Sequence, residues 1–188
     1  SNNIFRKNVT KILISFGGTD PVKITSKVLD VIRNESFKKI EFTVILGYGF
    51  QHKKDIKTKA SILKSEGFKI KLVEKSDFLA KYLRDTDFAI ISNGRTVFEV
   101  SCMGVPVLSV AVNEREKSHS FVKEHNIGKH MIFDKTNFSK NLSKNIQHML
   151  KSENRKKYKT NLKKLELLDG VEKVTQIINN YYNKKINP

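Results

Sequence analysis

The sequence predicts an α/β protein built on a doubly wound parallel sheet, with helices on both faces and further helices at its carboxyl end. Three observations point there. Apolar runs of five or six residues alternate with amphipathic stretches of helical period along most of the chain. Turns containing glycine follow two of those runs directly. At 188 residues and 38% hydrophobic content, the chain can bury one substantial core and hardly two.

Taken in order, Lys11-Ile12-Leu13-Ile14-Ser15-Phe16 is the first strand, closed by Gly17-Gly18-Thr19-Asp20-Pro21. The two glycines suit a turn that needs positive φ, and Asp20 is placed to cap the next helix before Pro21. That helix carries Ile24, Val28, Leu29 and Ile32. A strand at 41–46 precedes a lysine-rich helix near 53–65, and 68–73 is a third strand. A short helix with Phe78, Leu79, Tyr82 and Leu83 comes next. The strand Asp87-Phe88-Ala89-Ile90-Ile91 leads into a helix that runs on to Met103 until Gly104-Val105-Pro106 stops it. A strand at 106–110 and a helix near 114–125 follow. After Gly128 there is one short apolar stretch, Met131-Ile132-Phe133, then helices over 138–150, 154–168 and 171–182. Strands and helices of these lengths make a Rossmann-like sheet with right-handed crossovers. Ligands of such sheets bind beyond the carboxyl ends of the strands, the edge where Gly17-Gly18 and Gly94 both fall.

The segment Ser92-Asn93-Gly94-Arg95-Thr96-Val97-Phe98-Glu99 carries most of the chemistry. From Thr96 to Pro106 the only charge is Glu99. A helix apolar on most faces is expected to be buried, and a carboxylate inside it needs hydrogen-bond donors. A sugar diol offers two, side by side. The backbone N–H groups from Asn93 to Thr96 attract an anion, and glycine lets a phosphate approach the backbone. The segment reads as a phosphate and ribose clamp. The competing reading makes Thr96 a first-turn residue and Glu99 a partner of the positive helix end or of a lysine.

Composition narrows the function. The net charge of +17 invites a nucleic-acid reading, but residues 1–94 hold 18 basic and 10 acidic side chains and residues 95–188 hold 18 and 9. An excess spread so evenly, with thirty lysines to six arginines and no nucleic-acid-binding motif, argues against a dedicated nucleic-acid partner. Evenly spread lysines instead help draw in anionic ligands. The densest basic run, 151–164, reads as the solvated side of a helix that turns Tyr158, Leu162, Leu165 and Leu168 inward. Cys102 is the single cysteine, so no internal disulfide or thiolate cluster forms, and a cytoplasmic setting is expected. Its apolar neighbours make it a small core residue. No two of the five histidines have metal-binding spacing, and His119, near Glu116, reads as a solvated helix histidine. No metal or cofactor is expected, nor a membrane span or secretory leader. A start at Ser1-Asn2-Asn3, without methionine, suggests a piece of something larger.

Known nucleotide motifs are missing. A dinucleotide fingerprint needs Gly-x-Gly-x-x-Gly where this chain has Phe16-Gly17-Gly18-Thr19-Asp20, and there is no Walker A loop and no Gly-x-Ser-x-Gly elbow. The arrangement resembles the carboxyl-terminal, nucleotide-sugar-binding half of a GT-B enzyme such as the MurG-like glycosyltransferases. It is more similar to the pseudaminic-acid-pathway UDP-sugar hydrolases and the spore-coat polysaccharide proteins of the SpsG type. The residues that carry the resemblance are Ile14 to Pro21, Asp87 to Ile91 with Gly94 to Glu99, Gly104-Val105-Pro106 leading to Asn113, and Leu168-Asp169-Gly170 before Lys173-Val174.

The resemblance implies one donor-binding domain over residues 1–188. Gly17, Gly18 and Thr19 would lie beside the donor phosphates, with Asn93, Gly94, Arg95 and Thr96 receiving the diphosphate. Glu99 would accept both ribose hydroxyls, and the base would lie against the turn at 74–78. Two departures stand out. Arg95 adds a guanidinium where the family has a small residue. Asn113-Glu114-Arg115-Glu116 replaces the family's Asn-Gln, so Asn113 and Glu114 stand where the sugar is contacted. That variant resembles domains behind nucleotidyltransferases of the CMP-sialic-acid synthetase type. The general base is expected from an amino-terminal half, so the whole would be a nucleotide-sugar hydrolase of surface-polysaccharide or nonulosonic-acid synthesis, a glycosyltransferase, or a binding domain attached to a nucleotidyltransferase.

Overall fold

Each strand of this protein leaves the sheet in the same direction, which forces every connection to cross back outside it. In the computed structural model, which describes residues 3–35, 37–74 and 78–186, the strands are β1 (Lys11–Ser15), β2 (Glu41–Leu46), β3 (Lys69–Glu74), β4 (Phe88–Ser92), β5 (Val107–Ala111) and β6 (Gly128–Ile132). All pairings are parallel, in the order β3-β2-β1-β4-β5-β6. The chain builds outward from β1 to β3, returns past β1, and builds the other way from β4. The reversal leaves a crevice at the carboxyl ends of β1 and β4.

Burial follows strand composition. Ile12 to Ser15 of β1, and all of β4 and β5, are buried, as strands covered by helices on both faces must be. β3 is an edge strand and alternates Lys69 and Lys71 outward with Ile70 inward. One face of the sheet, through Ile14, Val44, Ile90 and Leu108, packs on α1 (Ile24–Asn34), α2 (Lys53–Ser65) and α7 (Phe138–Leu150). The other, through Leu13, Ala89, Ile91 and Val107, meets α3 (Ala80–Leu83), α4 (Thr96–Cys102) and α6 (Phe121–Glu124). The short apolar stretch expected after Gly128 is the end of β6. Gly128 is obligatory there, because a Cβ would stand 1.8 Å from the Val107 carbonyl oxygen.

Four expectations are corrected. The helix expected over 114–125 is two short pieces, α5 (Glu114–Lys117) and α6, because Asn93 captures the Glu116 and His119 carbonyls between them. α8 (Ser152–Lys163) buries Tyr158 and Leu162 as expected, but Glu166 at φ 44° breaks the chain into a 3₁₀ turn (Leu167–Asp169), leaving Leu168 exposed. α4 is only seven residues long, and Phe98 and Glu99 lie on its outer side, so the clamp helix is not the buried rod its composition implied. The last helix, α9 (Gly170–Ile186), starts one residue earlier than expected and exposes Val171, Val174, Ile177 and Ile178.

Two buried charges tie the amino-terminal segment to the sheet. The Asp87 carboxylate accepts from the backbone N–H groups of Thr10 (2.7 Å) and Lys11 (2.9 Å), from the Thr10 hydroxyl and from Arg6. Arg155, fully buried in the lysine-rich run, donates to the carbonyls of Met149, Arg6 and Lys7 at 2.7–2.9 Å. Each charge is matched by convergent partners, the condition under which burial is tolerated. Replacing Asp87 by alanine strands two backbone donors, so Asp87→Ala is expected to lower stability by about 2–4 kcal/mol in urea unfolding. A loss below ~0.5 kcal/mol would mean water replaces the carboxylate freely.

Candidate functional site

At the β1/β4 crevice, the turn after β1 forms one wall. Gly17 has φ 71° and could not be replaced without strain, whereas Gly18 needs no positive φ, and a Cβ on either would meet open space. The turn rests on the loop after β2, where a Cβ on Gly47 would lie 2.6 Å from the Gly17 carbonyl oxygen and 2.7 Å from the Gly18 Cα. Gly47 therefore sets the height of the turn without facing the crevice. Asp20, buried and in the left-handed region at φ 43°, accepts from the N–H groups of Ile24 and Thr25, both at 2.8 Å. Its carboxylate caps α1 as expected, but from three residues before the N-cap, Lys23, and Pro21 does not open the helix. A carboxylate already fills the start of α1, so an incoming anion is left with the other wall.

That other wall is the turn Asn93-Gly94-Arg95. Within it the N–H of Asn93 bonds the Val110 carbonyl, while Val97 and Phe98 donate to Gly94 and Arg95 as the turn tightens into α4. The N–H groups of Gly94, Arg95 and Thr96 have no partner among the described residues. Gly94 and Thr96 are half-buried, and Arg95 and Glu99 are exposed one helical turn apart. Glu99 makes no hydrogen bond or ion pair with any described residue, so its carboxylate is open to a ligand.

The third wall is α5 and its approach. Asn113 caps α5, its Oδ1 accepting the Glu116 N–H at 2.9 Å, and the Glu116 carboxylate returns to accept the Val112 N–H at 2.9 Å. This is a variant of the reciprocal capping box. One Glu116 oxygen is left over, 3.8 Å from where a Gly94 Cβ would sit. Asn93 locks this wall to the previous one: its Nδ2 donates to the Glu116 carbonyl (2.7 Å) and the His119 carbonyl (2.9 Å), and His119 Nδ1 donates back to the Asn93 carbonyl at 2.8 Å. The three walls enclose two adjoining hollows. One of about 210 Å³ runs from Phe16 and Gly17 past Ser92 to Val112, and one of about 130 Å³ lies between Gly94, Arg95, Arg115 and His119; Asn113 and Glu116 line both. Hollows of about 280 Å³ beside α1 and α2 and about 430 Å³ beside α8 are larger, but neither lies at the strand ends.

The expected site residues therefore divide. Gly17, Gly18, Thr19, Gly94, Arg95 and Asn113 line the crevice, Thr96 begins α4 beside it, and Glu99 stands open on the same helix. Asn93 is 2% exposed, with both amide hydrogens donated to the protein, so it shapes the site instead of touching a ligand. Glu114 points outward and pairs with Lys117 at 2.6 Å; the acid facing the crevice is Glu116, which the Asn-x-x-Glu spacing of a capping box could have indicated. His119 is not a solvated helix histidine, since it is held by Asn93. Cys102 is only half-buried, its thiol pushed up mainly by desolvation, and it packs by the Leu167 carbonyl away from the crevice. The turn at 74–78, where the resemblance put the base, falls largely outside the described residues. Among the described residues no cluster of metal ligands occurs, and no helix is long and apolar enough to cross a membrane.

The profile of the glycosyltransferase family 28 C-terminal domain matches residues 12–178. An uncharacterised protein of Methanocaldococcus jannaschii is 34% identical over 113 residues, which is 59% of this chain and 22% of that protein. The spore coat polysaccharide biosynthesis protein SpsG of Bacillus subtilis is 27% identical over 114 residues, 59% of this chain and 32% of that one. The chain thus spans under a third of either relative's length. In three dimensions it resembles MurG of Acinetobacter baumannii, with TM-score 0.68 and 14% identity over 92% of this chain and 50% of that one. It also resembles the C-terminal CMP-Kdo binding domain of WaaA from Acinetobacter baumannii, with TM-score 0.61 and 11% identity over 86% and 90% of the two. The fold is that of GT-B C-terminal domains.

Glycines 47 and 94 should respond oppositely to a methyl group. Gly47→Ala drives a Cβ into backbone and is expected to lower stability by about 1–3 kcal/mol. Gly94→Ala meets nothing nearer than 3.8 Å, and its unfolding midpoint in urea is expected to match the parent's. Equal losses for the two would contradict the packing described.

Proposed function

We propose that this chain, which belongs to the glycosyltransferase family 28 C-terminal domains, is the donor half of a nucleotide-sugar enzyme and grips the nucleotide diphosphate of its substrate. The observation that carries this is the β1/β4 crevice, where Gly94, Arg95 and Thr96 have partnerless N–H groups among the described residues and the hollow lined by Gly94 and Arg95 adjoins the one lined by the glycine turn after β1. Backbone donors fixed in place before the ligand arrives suit a phosphate whose charge grows as the bond to the sugar breaks. Asp20 excludes the start of α1 from that role, so the phosphates lie on the β4 side. Glu99 is then within one helical turn of them, a suitable distance for the ribose diol, and Thr19 and Asn113 flank the way to the sugar.

None of these groups is a catalyst in the sense of moving a proton at the reacting carbon. The reading therefore makes 1–188 one donor-binding domain, a piece of a longer protein in which a second half supplies the general base. A base that activates water makes the whole a sugar-nucleotide hydrolase in surface polysaccharide synthesis, the reading the likeness to SpsG favours. A site for an acceptor hydroxyl makes it a MurG-like glycosyltransferase. UDP is the first nucleotide to try. The likeness to a CMP-Kdo binding domain over nearly the whole of both chains keeps a cytidine donor, and a binding domain attached to a nucleotidyltransferase, in play.

Calorimetric titration with UDP, UMP and CMP tests the donor clamp. At least one should bind, and Glu99→Ala should weaken it by roughly 30-fold, about 2 kcal/mol for the ribose hydrogen bonds. Gly94→Val should abolish binding while the protein stays folded. Failure of all three nucleotides to bind would overturn the donor reading. Binding of short RNA that persists at physiological salt would replace it with the nucleic-acid reading, since attraction to scattered lysines fades there.

A further inference from the structure

Of six arginines in the chain, two line the same small hollow. Arg6 pairs with Asp85 and Asp87, Arg33 with Glu66, and Arg155 is buried on carbonyls, whereas Arg84, Arg95 and Arg115 make no ion pair with any described residue, and of these three Arg95 and Arg115 share the hollow. In a protein with thirty lysines, both cations of this hollow are arginine, the side chain that holds a planar oxyanion with two parallel hydrogen bonds. Arg95 comes from the turn into α4 and Arg115 from α5, two segments locked together by Asn93, so the fold sets both arginines on the lining of one hollow.

The rest of the lining says what kind of anion fits. Glu116 turns its free carboxylate oxygen toward the same hollow, and Asn113 borders it. With the donor diphosphate on the N–H groups at the turn into α4, a further phosphate beside the Glu116 carboxylate is unfavourable, since it brings more charge and offers no donor. It suits hydroxyl groups, which donate. The hollow thus presents two cationic forks for one singly charged planar group, with an acceptor for neighbouring hydroxyls. Resting on the donor-cleft reading, we propose that Arg95 and Arg115 recognise the carboxylate of an acidic sugar in the donor, with Glu116 accepting from that sugar's hydroxyls. The donor is then a nucleotide-activated sugar acid, and Arg115 determines that preference.

The experiment compares two pairs of probes by calorimetry on the chain: UDP-glucuronate against UDP-glucose, and CMP-N-acetylneuraminate against CMP. The acidic-sugar member of at least one pair is expected to bind about tenfold tighter, and Arg115→Gln should reduce that ratio to about two or less. Arg115→Lys, which keeps the charge but loses the fork, should recover only part of it. Equal affinities within both pairs would overturn the proposal while leaving the donor clamp standing. So would an Arg115→Gln variant that weakens both members by the same factor, for the guanidinium would then be on a phosphate. If no probe binds at all, the donor reading fails and this proposal fails with it.

Discussion

The reversal of strand order between β1 and β4 is the constraint on which everything else in this protein rests. A sheet wound in one direction would close its edge with crossing connections; here the connections after β1 and β4 leave on opposite faces and part. Both turns that line the crevice are there because their strands end there, and both are shaped by glycine for different reasons. Gly17 needs its backbone conformation, whereas Gly94 has an ordinary one and leaves room. The buried charges serve the same geometry. Asp87 and Arg155 hold the amino-terminal segment under the opposite edge of the sheet, so the strands begin from a fixed base and their ends are presented in register.

Much of the fold was legible because its strands are buried on both faces and must therefore be continuously apolar. Lys11–Ser15, Phe88–Ser92 and Val107–Ala111 stand out from their helical neighbours by composition alone. The order of the strands was not written there, beyond the expectation that both glycine turns fall on one edge. What could not be read was anything set by a single long-range hydrogen bond. The split between α5 and α6 comes from one asparagine 23 residues upstream, and no periodicity reports that. Arg155 sits in a run of lysines, and only the carbonyls of Arg6 and Lys7 distinguish it from them.

The site was legible in outline and misplaced in detail for a related reason. Gly17, Gly18, Gly94 and Arg95 lie where the pattern of strand, glycine turn and helix put them. Glu99 was located for a reason that fails, since α4 is too short to be enclosed and its carboxylate is open to water, which leaves it available to a diol but does not compel one. Of the acids at the head of α5, the family resemblance, with its Asn-Gln, suggested Glu114, and the capping geometry chose Glu116. A residue one helical turn along from its cap folds back over the helix start, and that direction is a property of the helix, not of the order in which residues appear.

Asn93, whose side-chain amide donates to the wall carrying Glu116 and His119 and whose backbone carbonyl accepts from His119, makes two of the three sides of the crevice a single body. A ligand entering such a crevice need not gather its contacts from loops that move independently. The entropy of ordering those loops was met when the chain folded, and it is not charged again at each encounter. Discrimination in a cleft of this kind resides in the shape and charge it already has, so relatives that differ in donor should differ in the side chains along its walls, and should keep the asparagine that joins them.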